Sequence, residues 1–278
     1  MQAERILGVD FSAAKSEAGR RTWVAEASVT GDGLVLADLA DAATYFDCDP
    51  SRGATLGALA SALRSGGEPR VVGLDFPFSL PEPLLDGGDW RGFVAGTPER
   101  WGRLDADSPR DLYDAATTYA ETEGVRLTRV TDEARGGQPP TGFRIRTQTF
   151  YGVSRVLRAI EDDVAVVPMD DPTDAGTVVV ETYPAALFEA VDGHRTGYKR
   201  DTRDGIGRRR RNVERLRDCG VAFEGLADFA TATDDALDAV AAAVAAWRAA
   251  RNGFAVDDGG TDADVDEATY EAEGYMYA

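Results

Sequence analysis

The sequence has very few of the side chains that catalysis and covalent cross-linking most often use. It contains one histidine, His194, and two cysteines, Cys48 and Cys219. Two cysteines so far apart exclude a disulfide framework and a zinc ribbon, so we expect a reduced, cytoplasmic chain. A single histidine excludes a His-rich zinc site and any mechanism that needs several imidazoles. A metal ion bound by this chain would therefore depend on carboxylate ligands.

Long apolar runs and lysine are also scarce. No apolar run approaches the length that a membrane-spanning helix needs, and the first residues lack the basic-then-apolar pattern of a secretion signal. We therefore expect neither membrane insertion nor secretion. Lys15 and Lys199 are the only lysines among 30 basic residues, and 49 acidic residues give a net charge of −19. This acidic composition resembles that of proteins from salt-loving microbes, in which salt screens the repulsion between like charges.

The apolar patterning predicts an α/β fold that is interrupted once. Residues 77–176 are rich in proline and show helical rather than strand periodicity, so we expect a mostly helical insertion or cap within the same domain. Residues 1–76 and 177–278 then form the core, with the acid-rich stretch 257–273 expected as a solvated loop. The pattern predicts strands over 5–10, 22–29, 34–38, 70–75 and 177–182, and helices over 54–64, 205–218 and 233–251.

Acidic residues occupy a recurring position in this pattern. Asp10, Asp75 and Glu181 each lie at or near the end of a predicted apolar strand, where a buried charge is costly unless a partner meets it. Asp235 and Asp238 begin the alanine-rich helix, and their i, i+3 spacing places both carboxylates on one helical face. If these elements meet, four or five carboxylates converge.

A convergent cluster of carboxylates predicts a divalent metal centre. Like charges at that density stay ionised only if a cation neutralises them, and Mg²⁺ or Mn²⁺ suits an oxygen-only site. Two such ions about 4 Å apart would promote phosphodiester hydrolysis. We expect metal ligands at Asp10, Asp75, Glu181 and Asp238, with Asp235 as a further catalytic candidate.

Each acid also has a structural interpretation. Asp10 and Asp75 could cap the turns that follow their strands. Asp235 and Asp238 could be first-turn acids that the helix dipole favours. Glu181 could pair with an arginine of residues 77–176.

A basic segment offers contacts for DNA or RNA despite the net negative charge. Residues 195–217 contain ten basic and three acidic side chains, a local charge of +7. Guanidinium groups there could bind phosphates, or could instead balance the acidic surface through ion pairs. The substrate contacts that we predict are Lys15, Lys199, Arg208, Arg209 and Arg211.

Five short motifs occur in an order that resembles the DUF429 family, which is described as predicted nucleases with a ribonuclease H-like fold. They are Gly8-Val9-Asp10, Gly73-Leu74-Asp75, Val180-Glu181-Thr182-Tyr183-Pro184, Gly197-Tyr198-Lys199 and Asp235-Ala236-Leu237-Asp238. The resemblance implies a mixed five-stranded sheet with helices on both sides, Asp10 on the first strand, Asp75 on the fourth and the closing Asp on the last core helix. It also implies that Asp10 bridges two metal ions.

Three functions remain as hypotheses from the sequence. The first is a divalent-metal-dependent nuclease, and the second is a nucleic-acid or protein-binding module of the same fold with an idle site. The third, an actin-like phosphotransferase, is disfavoured because the segment from Asp10 to Lys15 has no glycine for a phosphate-binding turn. The sequence does not indicate an oligomeric state.

Overall fold

One mixed sheet of seven strands organises the chain. The computed structural model describes residues 3–65, 67–87, 89–256 and 265–278. The strands lie in the order β5-β6-β4-β1-β2-β3-β7, with β2 antiparallel to both β1 and β3 and the other pairs parallel. They are β1 (Arg5–Asp10), β2 (Trp23–Thr30), β3 (Gly33–Asp41), β4 (Arg70–Leu74), β5 (Ala165–Val167), β6 (Thr177–Glu181) and β7 (Val221–Ala222).

The expectation of five strands is therefore wrong by two edge strands. The five strands read from the sequence occupy the centre of the sheet as β3-β2-β1-β4-β6. The additional strands, β5 and β7, have three and two residues, too short to show an apolar period. Because β5 comes from residues 77–176, that segment contributes to the sheet as well as to the helices.

Helices cover both faces of the sheet. One face packs mainly against α9, α10 and α12, and the other against α3 and helices from residues 77–176. The helices are α1 (Ala18–Arg21), α2 (Ala42–Tyr45), α3 (Arg52–Arg64), α4 (Trp90–Gly96), α5 (Pro109–Glu123), α6 (Val130–Arg135), α7 (Arg146–Tyr151), α8 (Arg158–Ile160), α9 (Pro184–Ala190), α10 (Arg203–Asp218), α11 (Ala227–Ala230), α12 (Asp234–Arg251) and α13 (Glu267–Glu273). A 3₁₀ turn (Glu82–Leu84) precedes α4, and a π-helical segment (Gly152–Leu157) joins α7 to α8. Among the residues described, no helix has the length and apolarity to cross a membrane.

Helix α12 lies directly on the centre of the sheet because two glycines leave room for it. A Cβ atom on Gly8 of β1 would lie 2.1 Å from both the Ala239 carbonyl oxygen and the Ala243 backbone nitrogen. A Cβ on Gly73 of β4 would lie 2.4 Å from the Ala242 carbonyl oxygen. The backbones of strand and helix are thus in contact, which brings the first turns of α12 to the ends of β1 and β4.

We expect Gly8→Ala to destabilise the protein by about 2–3 kcal/mol, since α12 must move away from the sheet to admit the methyl group. Urea denaturation would measure this. Gly57→Ala is the matched control, because Gly57 lies inside α3 with open space at its Cβ position. That control should gain roughly 0.5–1 kcal/mol from helix propensity. Equal stability of the two variants would contradict the close approach of α12.

The acid-rich C-terminal stretch is only partly a loop. Within 257–273, residues 257–264 lie outside the described part, and Glu267–Glu273 forms α13 instead of the predicted solvated loop. Asp266 caps this helix by accepting a hydrogen bond from the Thr269 backbone N–H at 2.9 Å. Tyr270 and Glu273 are buried, so the helix has an inward face that its many acids obscure in the sequence.

Candidate metal centre

Three of the predicted carboxylates meet where β1, β4 and α12 come together. Asp10 is the last residue of β1, Asp75 follows the last residue of β4, and Asp238 lies in the second turn of α12. One ligand atom from each lies within 4.8 Å of the others. The parallel register pairs Val9 with Leu74, so the two strands place their acids at the same edge of the sheet.

Burial and mutual repulsion make this cluster electrostatically costly without a cation. Burial, followed by the charges of Asp238 and Asp75, raises the pKa of Asp10 well above its ordinary value. Burial raises the pKa of Asp75 to about 7, although Lys199 opposes the shift. Burial also raises the pKa of Asp238, again against Lys199. The three groups therefore favour either protons or a metal ion.

Asp238 already has two protein partners. The Tyr198 hydroxyl donates a hydrogen bond to Asp238 Oδ1 at 2.9 Å, and Lys199 Nζ lies 2.6 Å from Oδ2. Burial acts to lower the pKa of Lys199, but the charges of Asp238, Asp75 and Asp10 outweigh it and raise that pKa. The Lys199 side chain is still 56% exposed, so its ammonium group can also meet a ligand from solvent.

The donor set fits a hard divalent cation. Three ionised carboxylates against one ammonium leave an excess of two negative charges. Within the described part of the chain, no side chain or backbone group donates a hydrogen bond to the carboxylate of Asp10 or Asp75. Their oxygens are thus available, and oxygen-only ligation is what Mg²⁺ and Mn²⁺ prefer. A cavity of about 160 Å³ opens beside Asp75 and Lys199.

Glu181, which the sequence predicts as a metal ligand, lies outside the cluster of three and is held by an arginine instead, although it lines the same cavity as Asp75 and Lys199. Its oxygens Oε1 and Oε2 accept hydrogen bonds from Arg129 Nη2 and Nη1 at 2.6 and 2.8 Å. The register pairs Glu181 with Leu74, one residue before Asp75. Because side chains alternate across a strand, Glu181 points to the sheet face opposite α12. The alternative that the sequence left open, a pair with an arginine of residues 77–176, is confirmed.

Asp235 lies one turn before Asp238, outside the cluster of three. Burial and the neighbouring Asp234 and Asp238 raise the pKa of Asp235 to about 6. Its charge also contributes to the raised pKa of Asp10, so it is close enough to repel that group. The structure thus brings Asp238, rather than Asp235, to the other two carboxylates.

The buried arginine is the main feature that the sequence did not reveal. Arg129 is fully buried and forms a second ion pair with Asp132, with Nη2 and Oδ1 2.9 Å apart. Its Nη1 also donates to the Glu273 carbonyl oxygen at 3.0 Å. The Glu273 carboxylate accepts from the backbone N–H of Glu82 and of Val130. Arg129 therefore ties residues 77–176 to both β6 and α13.

The basic residues that the sequence predicts as substrate contacts lie in different environments. Arg209 is 1% exposed and donates to the carbonyl oxygens of Thr231 and Tyr198, each at 2.9 Å, so it supports the fold instead of facing a substrate as expected. Arg208 pairs with Asp204 at 2.8 Å. Arg211 Nε donates to His194 Nε2 at 2.7 Å. Lys15 is exposed and lines a groove, described below.

Comparison with known proteins adds one finding. The model of a family described as "Protein of unknown function (DUF429)" matches residues 8–257. That range includes all three clustered carboxylates. Among curated proteins, and likewise among solved structures, no significant similarity to the chain is found.

Proposed function

The chain belongs to the DUF429 family, and we propose that it is a divalent-metal-dependent nuclease with a ribonuclease H-like core. The observation that carries the proposal is the convergence of Asp10, Asp75 and Asp238 within 4.8 Å. Asp10 lies on the first strand, Asp75 at the end of the fourth and Asp238 on the last long helix, which is the placement that the resemblance implies. In this proposal residues 1–76 and 177–278 form the core, and residues 77–176 form a cap within the same domain.

The three carboxylates would hold the metal, and Lys199 and Tyr198 would position Asp238. Mg²⁺ or Mn²⁺, when bound, supplies positive charge that polarises a phosphate and assists its hydrolysis. Tyr198 fixes one Asp238 oxygen through its hydroxyl. The ammonium group of Lys199 lies over the other oxygen and, being half exposed, can bind a phosphate oxygen of an incoming DNA or RNA strand.

Mn²⁺ binding tests the proposal. We expect calorimetric titration of the wild-type protein to show binding, and saturating Mn²⁺ to raise Tm, since a ligand at 100 times its Kd stabilises a protein by about 2.7 kcal/mol. Asp75→Asn should remove both effects. Asp234→Asn removes the same charge from a residue outside the cluster and should retain both effects. The absence of Mn²⁺ binding by the wild-type protein would refute the metal centre.

A binding module with an idle site is the second candidate, and the Lys199–Asp238 ion pair is the observation in its favour. That pair neutralises one buried carboxylate without any metal. If the site is idle, neither the wild-type protein nor Asp10→Asn should cleave an oligonucleotide in Mn²⁺, and the two proteins should bind nucleic acid equally. Metal-dependent cleavage by the wild-type protein would exclude this candidate.

A further inference from the structure

A groove of about 590 Å³ beside the metal centre is lined by basic side chains in an otherwise acidic protein. Lys15, Arg52 and Arg144 line it together with Tyr151 and Gln148. Within residues 3–65, 67–87, 89–256 and 265–278, no acidic side chain lines this groove. A local excess of three positive charges on a chain of −19 indicates a surface that receives anions.

The three cations are not engaged with carboxylates. None of them forms an ion pair with any residue in the described part of the chain. Arg52 is held in place: its Nε donates to the Ala14 carbonyl oxygen at 3.1 Å, and its guanidinium carbon lies 4.0 Å from the centre of the Tyr151 ring. Lys15 and Arg144 are exposed and extend into solvent. The groove thus offers three cationic groups that can bind phosphate. Arg52 is held in place, and Lys15 and Arg144 are free to adjust to a ligand.

Gln148 connects the groove to the metal centre. Its Nε2 donates to the carbonyl oxygen of Phe11, the residue after Asp10, at 2.8 Å. The same side chain lines both the groove and the cavity beside Asp75 and Lys199. The groove therefore adjoins the cavity that opens beside Asp75.

An exposed aromatic side chain directly precedes one of the groove-lining residues in the chain. Phe143, which precedes Arg144, is 71% exposed, although apolar rings of this size are usually covered. The guanidinium carbon of Arg146 lies 4.3 Å from the centre of its ring, and Tyr113 meets it edge-on with the ring centres 6.4 Å apart. These two contacts restrain the Phe143 ring, and most of its surface stays exposed. Proteins that bind unpaired bases combine a basic groove with accessible aromatic rings of this kind.

We propose that this groove binds single-stranded nucleic acid, with phosphates on Lys15, Arg52 and Arg144 and a base stacked on Phe143. The inference rests on the proposed nuclease function, since the groove would lead a nucleic-acid strand toward Asp10 and Asp75. The groove would also favour single strands over duplexes, because a duplex keeps its bases stacked on one another and presents none to Phe143.

Binding can be measured separately from cleavage, so failure of one proposal does not hide failure of the other. The probe is a dye-labelled 20-nucleotide single strand, as DNA and as RNA, followed by fluorescence anisotropy in EDTA over a series of salt concentrations. The test variant is Lys15→Ser with Arg144→Ser, since both side chains are exposed and unpaired in the described part of the chain. Arg203→Ser with Arg210→Ser removes the same charge from the exposed surface of α10.

We expect the groove variant to bind about tenfold more weakly, with the slope of log affinity against log salt reduced by about 1.4, or about 0.7 for each lost phosphate contact. The α10 variant should bind like the wild-type protein. Phe143→Ala should weaken single-strand binding by about fivefold or more and leave binding of the matching duplex unchanged.

Three results would overturn the inference. The first is that the wild-type protein does not bind the single-stranded probe at low salt. The second is that the α10 variant loses more affinity for the probe than the groove variant does. The third is duplex binding tighter than single-strand binding together with no effect of Phe143→Ala. Because no metal is present, each result stands whether or not the chain cleaves its ligand.

Discussion

Asp10→Asn is expected to lower metal-dependent cleavage of an oligonucleotide by more than about 100-fold. Substitution of a residue that only orients a metal ligand typically lowers metal affinity or activity by about 10–100-fold. Asp10 is itself placed to be a ligand, so its substitution should cost more. An amide keeps the shape of the side chain but removes the negative charge that would attract the cation. The measurement is the initial rate on single-stranded DNA and RNA at saturating Mn²⁺, with the products resolved on a denaturing gel.

The same variant should be more stable than the wild-type protein when metal is removed. Burial and the charges of Asp238 and Asp75 raise the pKa of Asp10, so its ionised form is disfavoured in the folded protein. Asn at this position relieves that cost, and we expect a higher Tm in EDTA. A rise in Tm with a loss of activity would show that the variant is folded and that the loss lies in the metal centre.

Asp234→Asn serves as the control for charge, since it neutralises an acid in the first turn of α12 outside the cluster. It should cleave at the wild-type rate. If Asp10→Asn also cleaves at the wild-type rate in Mn²⁺, the carboxylate cluster is not the catalytic centre. If neither variant nor the wild-type protein cleaves any strand, the idle binding module becomes the better description.

The parts of the site that could be predicted from the sequence are those in which one local pattern carries the information. Gly8-Val9-Asp10 and Gly73-Leu74-Asp75 each place a glycine two residues before the acid. In the structure those glycines face α12, so the acids face α12 as well. Val180-Glu181 has no such glycine and points to the other face. This difference in the motifs is the signal that could have separated Glu181 from the other two acids.

The remaining features depend on contacts between segments that are distant in the chain. Arg129 and Glu181 are 52 residues apart, and Arg129 and Glu273 are 144 residues apart. No local pattern distinguishes Arg129 from the other arginines of residues 77–176. The edge strands β5 and β7 owe their conformation to pairing with β6 and β3, since their own sequences are too short to specify it. Tertiary packing therefore decides these elements.

Arg129→Met is expected to lower the free energy of unfolding by about 3–5 kcal/mol, which is the usual cost of removing one partner of a buried ion pair. The substitution leaves Glu181 and Asp132, both almost fully buried, without their cation. Methionine retains much of the apolar volume, so the loss reports on charge more than on packing. Urea denaturation at neutral pH, followed by circular dichroism, measures the effect.

Arg126→Met is the matched control, three residues earlier in the same segment. Arg126 pairs with Glu133 at 2.7 Å, but the Arg126 side chain is 79% exposed, and an exposed pair contributes only about 0–1 kcal/mol. We expect Glu181→Gln to recover part of the loss when it is combined with Arg129→Met, because a buried amide costs less than an unpaired carboxylate. Equal losses in Arg126→Met and Arg129→Met, or no recovery in the double variant, would mean that the buried charge network does not hold residues 77–176 against the core. If the losses differ as expected, Arg129 is the residue that fixes the position of this segment, and with it one wall of the cavity beside Asp75.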